Sequence, residues 1–164
     1  MSIPAEAPPI NVRSQTYWVA RTDAQCARCR AITRLLALAL PPGHEFLAPG
    51  ESESSDEWQK SERAAFLFHV EYLDFAARSR IQAISPNLRM ANSATGHHAY
   101  WANHCEHCGA LQDDEELHCE PGAFLPMSES DAARILLTPV AEAFTASSAG
   151  YSDQPEFFSS IRKE

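Results

Sequence analysis

Apolar residues recur along the chain in short blocks, separated by runs of Pro, Gly, Ser and acidic residues. Residues 15–21, Gln-Thr-Tyr-Trp-Val-Ala-Arg, are rich in aromatic and β-branched types and predict a strand. Residues 31–40 read Ala-Ile-Thr-Arg-Leu-Leu-Ala-Leu-Ala-Leu. Their composition favours a helix. Their position favours a strand, because they leave a tight Cys-x-x-Cys turn that the first strand enters, and Pro41-Pro42-Gly43 then closes the segment. Residues 66–73 alternate imperfectly and are aromatic, which again predicts a strand. Asp74 is placed as the N-cap of a helix from Phe75 to about Ile84, which Ser85-Pro86-Asn87 ends. Residues 97–103 and 110–118 predict strands into and out of a second Cys-x-x-Cys turn, the latter interrupted at Asp113-Asp114. Residues 133–143 predict one more strand, with Pro139 confining it to an edge or a bulge.

The remaining segments read as connections. Residues 1–14 carry Pro4, Pro8 and Pro9 and predict an extended arm. Residues 51–57, Glu-Ser-Glu-Ser-Ser-Asp-Glu, predict an acidic surface loop, and residues 89–96 a polar connection turning at Thr95-Gly96. Residues 147–164 are polar and predict a tail, with Phe157, Phe158 and Ile161 as a docking cluster and a short helix after Pro155. The organisation expected is an arm (1–14), a single domain (15–146) with an insertion (41–97), and the tail (147–164).

The chemistry lies in two turns, Cys26-Ala-Arg-Cys29 and Cys105-Glu-His-Cys108, roughly eighty residues apart. A Cys-x-x-Cys turn presents two thiolates from one loop, and two such turns supply the four ligands of a tetrahedral zinc site. Cys26, Cys29, Cys105 and Cys108 are therefore the candidate ligands of one structural Zn2+ ion. The residue after the second cysteine turns left-handed, which suits Gly109 and makes Arg30 irregular in the first turn. The fold expected is α+β: antiparallel strands forming a four-cysteine zinc ribbon, with a helix-containing insertion between the two knuckles. Metal-free packed thiols and a redox pair are the rival readings. A redox Cys-x-x-Cys usually opens a helix, where its thiol pKa falls, and neither turn has that context. His107 lies inside the second turn and is expected to point away from the metal. His104 and His118 are expected beside the site or at the surface, and Cys119 as a buried or half-buried thiol outside it.

The chain has 164 residues, enough for one domain with a sizeable core. Its 13 basic and 22 acidic residues give a formal charge of −9. An acidic surface repels phosphate backbones and suits a basic protein partner. Five cysteines, four of them in Cys-x-x-Cys pairs, fit a reducing compartment, and no N-terminal signal pattern is visible, so a cytoplasmic setting is expected. There is no His-Glu-x-x-His, phosphate-binding Gly loop, Gly-x-Ser-x-Gly or zinc-deaminase signature. Four cysteines also close a zinc shell that a catalytic ion would keep open.

The run Tyr100-Trp-Ala-Asn-His-Cys-Glu-His-Cys-Gly-Ala-Leu-Gln112, with Leu117-His118 and Glu120-Pro121-Gly122-Ala123-Phe124 after it, resembles a motif of uncharacterised bacterial zinc-ribbon proteins. That motif is Tyr-Tyr-Ala-Asn-His-Cys-x-x-Cys-Gly-Ala-Leu-Gln-Gly, then Leu-His-x-Glu-Pro-Gly and an aromatic residue. The chain departs from it at Asp113, where Gly is usual, and at Cys119, where a small residue varies. The resemblance implies a metal-bearing ribbon and no activity.

Three functions compete. The first is a non-enzymatic protein-interaction module, in its sharpest form an immunity- or antitoxin-type neutraliser. Its acidic residues, 51–57 or 113–116, would cover a basic partner, and charge would speed capture. The second is nucleic-acid binding through Arg13, Arg21, Arg28, Arg30 and Arg34 near the first knuckle, against the net charge. The third is an enzyme using a pocket away from the zinc, drawing on His44, His69, His97 or His98. Acidic pairs in 113–116 read more readily as a solvated turn than as an acid/base pair.

Overall fold

The structure is a computed structural model that describes residues 9–48, 57–92, 99–119, 123–152, 158 and 160–163. Strands dominate, and the three helices among the described residues are short. The strands are β1 (Val12–Ser14), β2 (Tyr17–Gln25), β3 (Ile32–Leu40), β4 (Glu45–Ala48), β5 (Glu57–Lys60), β6 (Ala65–Leu73), β7 (Leu88–Asn92), β8 (Ala99–His104), β9 (Leu111–Gln112), β10 (Leu136–Val140), β11 (Phe144–Ser152) and β12 (Arg162–Lys163). The helices are α1 (Phe75–Ile84), α2 (Asp114–His118) and α3 (Glu129–Ala132). Nine strands form one sheet in the order β12-β10-β2-β3-β6-β11-β1-β4-β5, and β7-β8-β9 form a second. Every pairing is antiparallel except that of β10 with β12.

The strand β3 shows why composition alone misleads. Leu36, Leu38 and Leu40 belong to one buried cluster, with Val19, Leu67, Val70, Leu73 and residues of α1, β7 and β8. Leu35, Ala37 and Ala39 belong to another, with Phe66, Leu117, Phe124, Ile135 and Phe158. Both faces of β3 are therefore covered, so its apolar residues run continuously instead of alternating. The small sheet and α1 cover one face, and α2, α3 and the chain near residue 158 cover the other.

Several expectations hold in detail. The Asp74 side chain accepts the Ala77 N–H at 2.8 Å and caps α1. It also accepts the Thr145 N–H at 2.8 Å, which ties the helix to β11. Pro139 pairs with Trp18 at a position β12 does not reach, because β12 meets only Leu136 and Leu137. Its missing N–H therefore faces an edge. Phe158 and Ile161 are buried.

Other expectations are corrected. Much of the presumed tail, residues 147–152, belongs to β11, a long strand between β6 and β1. Its Ser, Ala and Gly residues have little intrinsic strand preference, and two flanking strands override it. Small side chains serve there, since a Cβ on Gly150 would collide with the Phe68 ring. Val12–Ser14, placed in the arm, form β1 between β11 and β4. Residues 89–92, read as part of a polar connection, belong to β7. The strand expected over 110–118 is only β9, followed by α2, whose N-cap Asp113 accepts the Glu115 N–H. The nine-stranded sheet also makes the fold larger than the small ribbon expected. Residues 1–8, most of the acidic loop, His97, His98, Phe157 and the helix after Pro155 lie outside the described residues.

Candidate metal centre

The first knuckle is the tip of the β2–β3 hairpin, and the second joins β8 to β9. They are built alike. Cys26 N–H donates to Ala31 O at 2.9 Å and Arg30 N–H to Cys26 O at 2.8 Å. Cys105 N–H donates to Ala110 O at 2.9 Å and Gly109 N–H to Cys105 O at 3.0 Å. Arg28 N–H and His107 N–H each lie 3.4 Å from the sulfur two residues back. The residue closing each turn is left-handed, with φ 75° at Gly109 and φ 65° at Arg30. The irregular first turn thus takes the same shape, at the steric cost a Cβ carries in that region.

The two tips bring Cys26, Cys29, Cys105 and Cys108 together, with all four Sγ atoms within 4.8 Å of one another. Cys26 Sγ lies 3.7 Å from Cys108 Sγ, and Cys29 Sγ 3.6 Å from Cys105 Sγ. Cys26 and Cys105 are buried, while Cys29 and Cys108 are exposed. Gln112 Nε2 reaches Cys26 Sγ at 3.4 Å. The Cys29 N–H, followed by that of Arg28 and by the neighbouring Cys108 thiol, pulls the Cys26 thiol down to about 6. The Cys29 thiol receives the Ala31 N–H, yet local desolvation within the cluster and the three sulfurs around it push it up to about 11. The Cys105 thiol is lowered by the Cys108 N–H first, then by that of His107. The N–H groups thus stabilise anionic sulfur, while the crowding of four sulfurs opposes full ionisation. A metal cation resolves that conflict, and these four residues could hold one.

The second hairpin also grips β3 directly. β3 meets β6 only at Leu38–Leu40, so among the described residues the backbone of 32–36 has no strand on that side. Side chains take the place of one. Asn103 Oδ1 accepts the Leu36 N–H at 2.9 Å, and Asn103 Nδ2 donates to Leu36 O at 2.8 Å. Glu106 Oε1 accepts the Arg34 N–H at 2.7 Å, and His107 Nε2 lies 3.0 Å from Ile32 O. The Glu106 N–H donates to Thr33 Oγ1 at 3.0 Å.

The histidines fall into different places. His107 is exposed and stays out of the cysteine cluster. His104 is buried, with Nδ1 at 3.1 Å from Asn87 O and 3.0 Å from Ala102 O. His44 is buried against Pro41 O at 2.7 Å. His118, expected near the metal or at the surface, is buried elsewhere, stacked between Phe68 and Phe124. Cys119 is exposed rather than buried.

The acidic turn 113–116 carries a polar network that its charge density conceals. Asp113 and Asp114 are buried, which corrects their reading as a solvated turn. The Tyr100 hydroxyl donates to Asp113 Oδ1 at 2.9 Å and accepts the Asp114 N–H at 3.0 Å. Asp114 Oδ2 accepts the N–H of His69 at 2.8 Å, and His69 sits at φ 51°. Burial first, with Asp113 adding, pushes the Asp114 carboxyl up to about 7, against the pull of the His69 N–H. Burial holds the His118 imidazole down to about 3, so it is neutral. The i, i+4 spacing of Asp114 and His118 is the sequence signal that could have drawn attention to this turn.

Compared with family models, with curated proteins and with solved structures, the chain matches none of them. Among the described residues, no helix is long and apolar enough to cross a membrane.

Proposed function

We propose that the four cysteines hold one structural zinc ion, as a ribbon-type staple between the two hairpins, and that the protein is a non-enzymatic protein-interaction module. The observation that supports this is the sulfur geometry. Zinc–thiolate bonds of about 2.3 Å place tetrahedral sulfurs roughly 3.8 Å apart. Two of the pairs here, at 3.6 and 3.7 Å, approach that edge length. Four thiolates leave such an ion no open position for substrate or water. With the charge of −9, the partner that fits is basic. Burial of Asp113 and Asp114 narrows the acidic candidates of that turn to Glu115 and Glu116, which are exposed. The neutraliser reading therefore rests on residues 51–57 and the remaining surface acids.

Elemental analysis and native mass spectrometry test this reading together. One zinc per chain and a co-purifying basic protein, lost at high salt, are the expected result. A chain that folds and melts identically without metal would overturn the staple. Turnover that survives zinc removal would overturn the non-enzymatic reading.

A further inference from the structure

Apart from the cysteine centre, the described surface carries a basic groove, in a chain whose net charge is −9. Arg21, Arg34, Arg134 and Arg162 line one groove of about 210 Å³ together with Thr22, Asp23 and Leu136. Strand register explains the convergence. Arg162 lies opposite Leu136, which lies opposite Arg21, which lies opposite Leu36, while Arg34 lies opposite Asp23 two residues on. Residues opposite one another, or two apart on a strand, share a face. The groove is therefore a property of the sheet rather than of mobile side chains alone. Thr22 Oγ1 donates to Arg134 O at 3.1 Å and ties the backbone at Arg134 onto β2.

Two of these four groups stand clear of acid. Among the described residues no carboxylate lies within ion-pair distance of Arg134 or Arg162. Arg34 Nε lies 3.8 Å from Asp23 Oδ1, with both side chains at least half exposed, and such a pair is weak. Arg28 and Arg30, both exposed, extend the positive charge to the tip of the same hairpin. From Arg21 to Gln25, β2 rises about 13 Å, and β12 lies two strand spacings, roughly 9.6 Å, to its side. The cations therefore form a track rather than a point.

We infer that this arginine track binds the phosphodiester backbone of single-stranded nucleic acid. Guanidinium groups are planar forks that pair with phosphate oxygens in twos, and several of them converging on one groove suit a group with more acceptor oxygens than a carboxylate has. The groove is smaller than the roughly 300 Å³ at the low end for whole organic ligands. It fits one or two phosphates of a longer chain, and the continuation to Arg28 and Arg30 calls for a polyanion. A narrow concave track suits a flexible strand, whereas a duplex is read by an element that enters its groove. The acidic remainder of the surface opposes binding at long range, while counterion release at the phosphate contacts favours the complex at low salt. Backbone contacts carry no sequence preference.

Fluorescence anisotropy with a labelled oligothymidylate of about 15 nucleotides tests this on the full chain, independently of the zinc reading. With three or four phosphate contacts, a slope of about −0.7 per contact predicts at least a hundredfold weakening between about 20 and about 200 mM salt. The double variant Arg134→Glu/Arg162→Glu should bind at least tenfold more weakly and with a shallower salt slope. Arg89→Glu, an exposed change on β7 outside the track, should bind as the parent does. Circular dichroism and melting curves establish that each variant is folded. No binding by the parent at low salt, or equal binding by the double variant, would overturn the proposal. Displacement of the oligonucleotide by polyglutamate as readily as by unlabelled oligonucleotide, at equal charge, would replace nucleic acid with an acidic protein segment.

Discussion

Asn103 holds both backbone groups of Leu36, one through each arm of its amide, where no strand among the described residues pairs with that edge of the large sheet. An amide side chain here does the pairing of a missing residue of β6. Asn103 and Leu36 are both buried, so water cannot replace either bond. Asn103→Leu should therefore destabilise the fold by about 2–4 kcal/mol, since it leaves a donor and an acceptor unsatisfied. Urea unfolding measures this, and a loss under about 0.5 kcal/mol would show that the edge of β3 finds other partners.

Removal of the proposed zinc should act on a larger scale. The centre joins segments about eighty residues apart, and a cross-link closing such a loop contributes about 4–5 kcal/mol on chain-entropy grounds. Cys105→Ser, or a strong chelator, should lower the melting temperature markedly, while the exposed Cys119→Ser should change stability by less than about 0.5 kcal/mol. Melting curves with and without metal separate the two.

The two knuckles predict opposite responses to small residues. Arg30 occupies the left-handed region that suits glycine, so Arg30→Gly should be neutral or stabilising by up to about 1 kcal/mol. A Cβ on Gly109 would meet no atom within 4 Å, yet φ is 75° there. Gly109→Ala should therefore cost about 1–2 kcal/mol through backbone strain alone. Paired denaturation curves of the two variants check the contrast.

The buried network predicts a pH dependence made of opposing parts. The folded chain keeps a proton on Asp114 up to about pH 7, whereas the unfolded chain loses it near 3.8. Stability from this group is fully present below the lower value and falls as pH rises towards 7. His118 does the reverse. Its pKa falls from 6.5 to about 3 on folding, so its contribution rises with pH between those values. The two offset each other across the range they share. Asp114→Asn removes the falling part, so the variant should gain on the parent as pH rises from about 4 to 7, by a few kcal/mol. A parent-to-variant difference that stays level with pH would refute the assignment.

The cysteines and the strands around them could be read from the chain because their chemistry is local. Two thiols three residues apart need one turn, and Asp74 needs only its own helix to cap. The strand β3 required one more step, since its leucines and alanines suit a helix until the hairpin tip is recognised. The rest depended on partners far away in sequence. Ser147 and Ser148 are buried in β11 because β6 and β1 flank them. Asp113 and Asp114 look solvated until Tyr100 and His69 arrive. The groove is half visible: Arg21 and Arg34 lie near the first knuckle, but Arg134 and Arg162 join them only through β10 and β12.

The placement of β11 also dictates an order of events during synthesis. The hairpin of β2 and β3 can form once about forty residues have left the ribosome. The strand that lies between β6 and β1, however, starts only at Phe144. Until it emerges, those two strands face solvent with open backbone edges, and the sheet exists as separate halves. A nascent chain stalled before that point would present two sticky edges at once, so the interval between residues 73 and 144 is when aggregation competes most directly with folding.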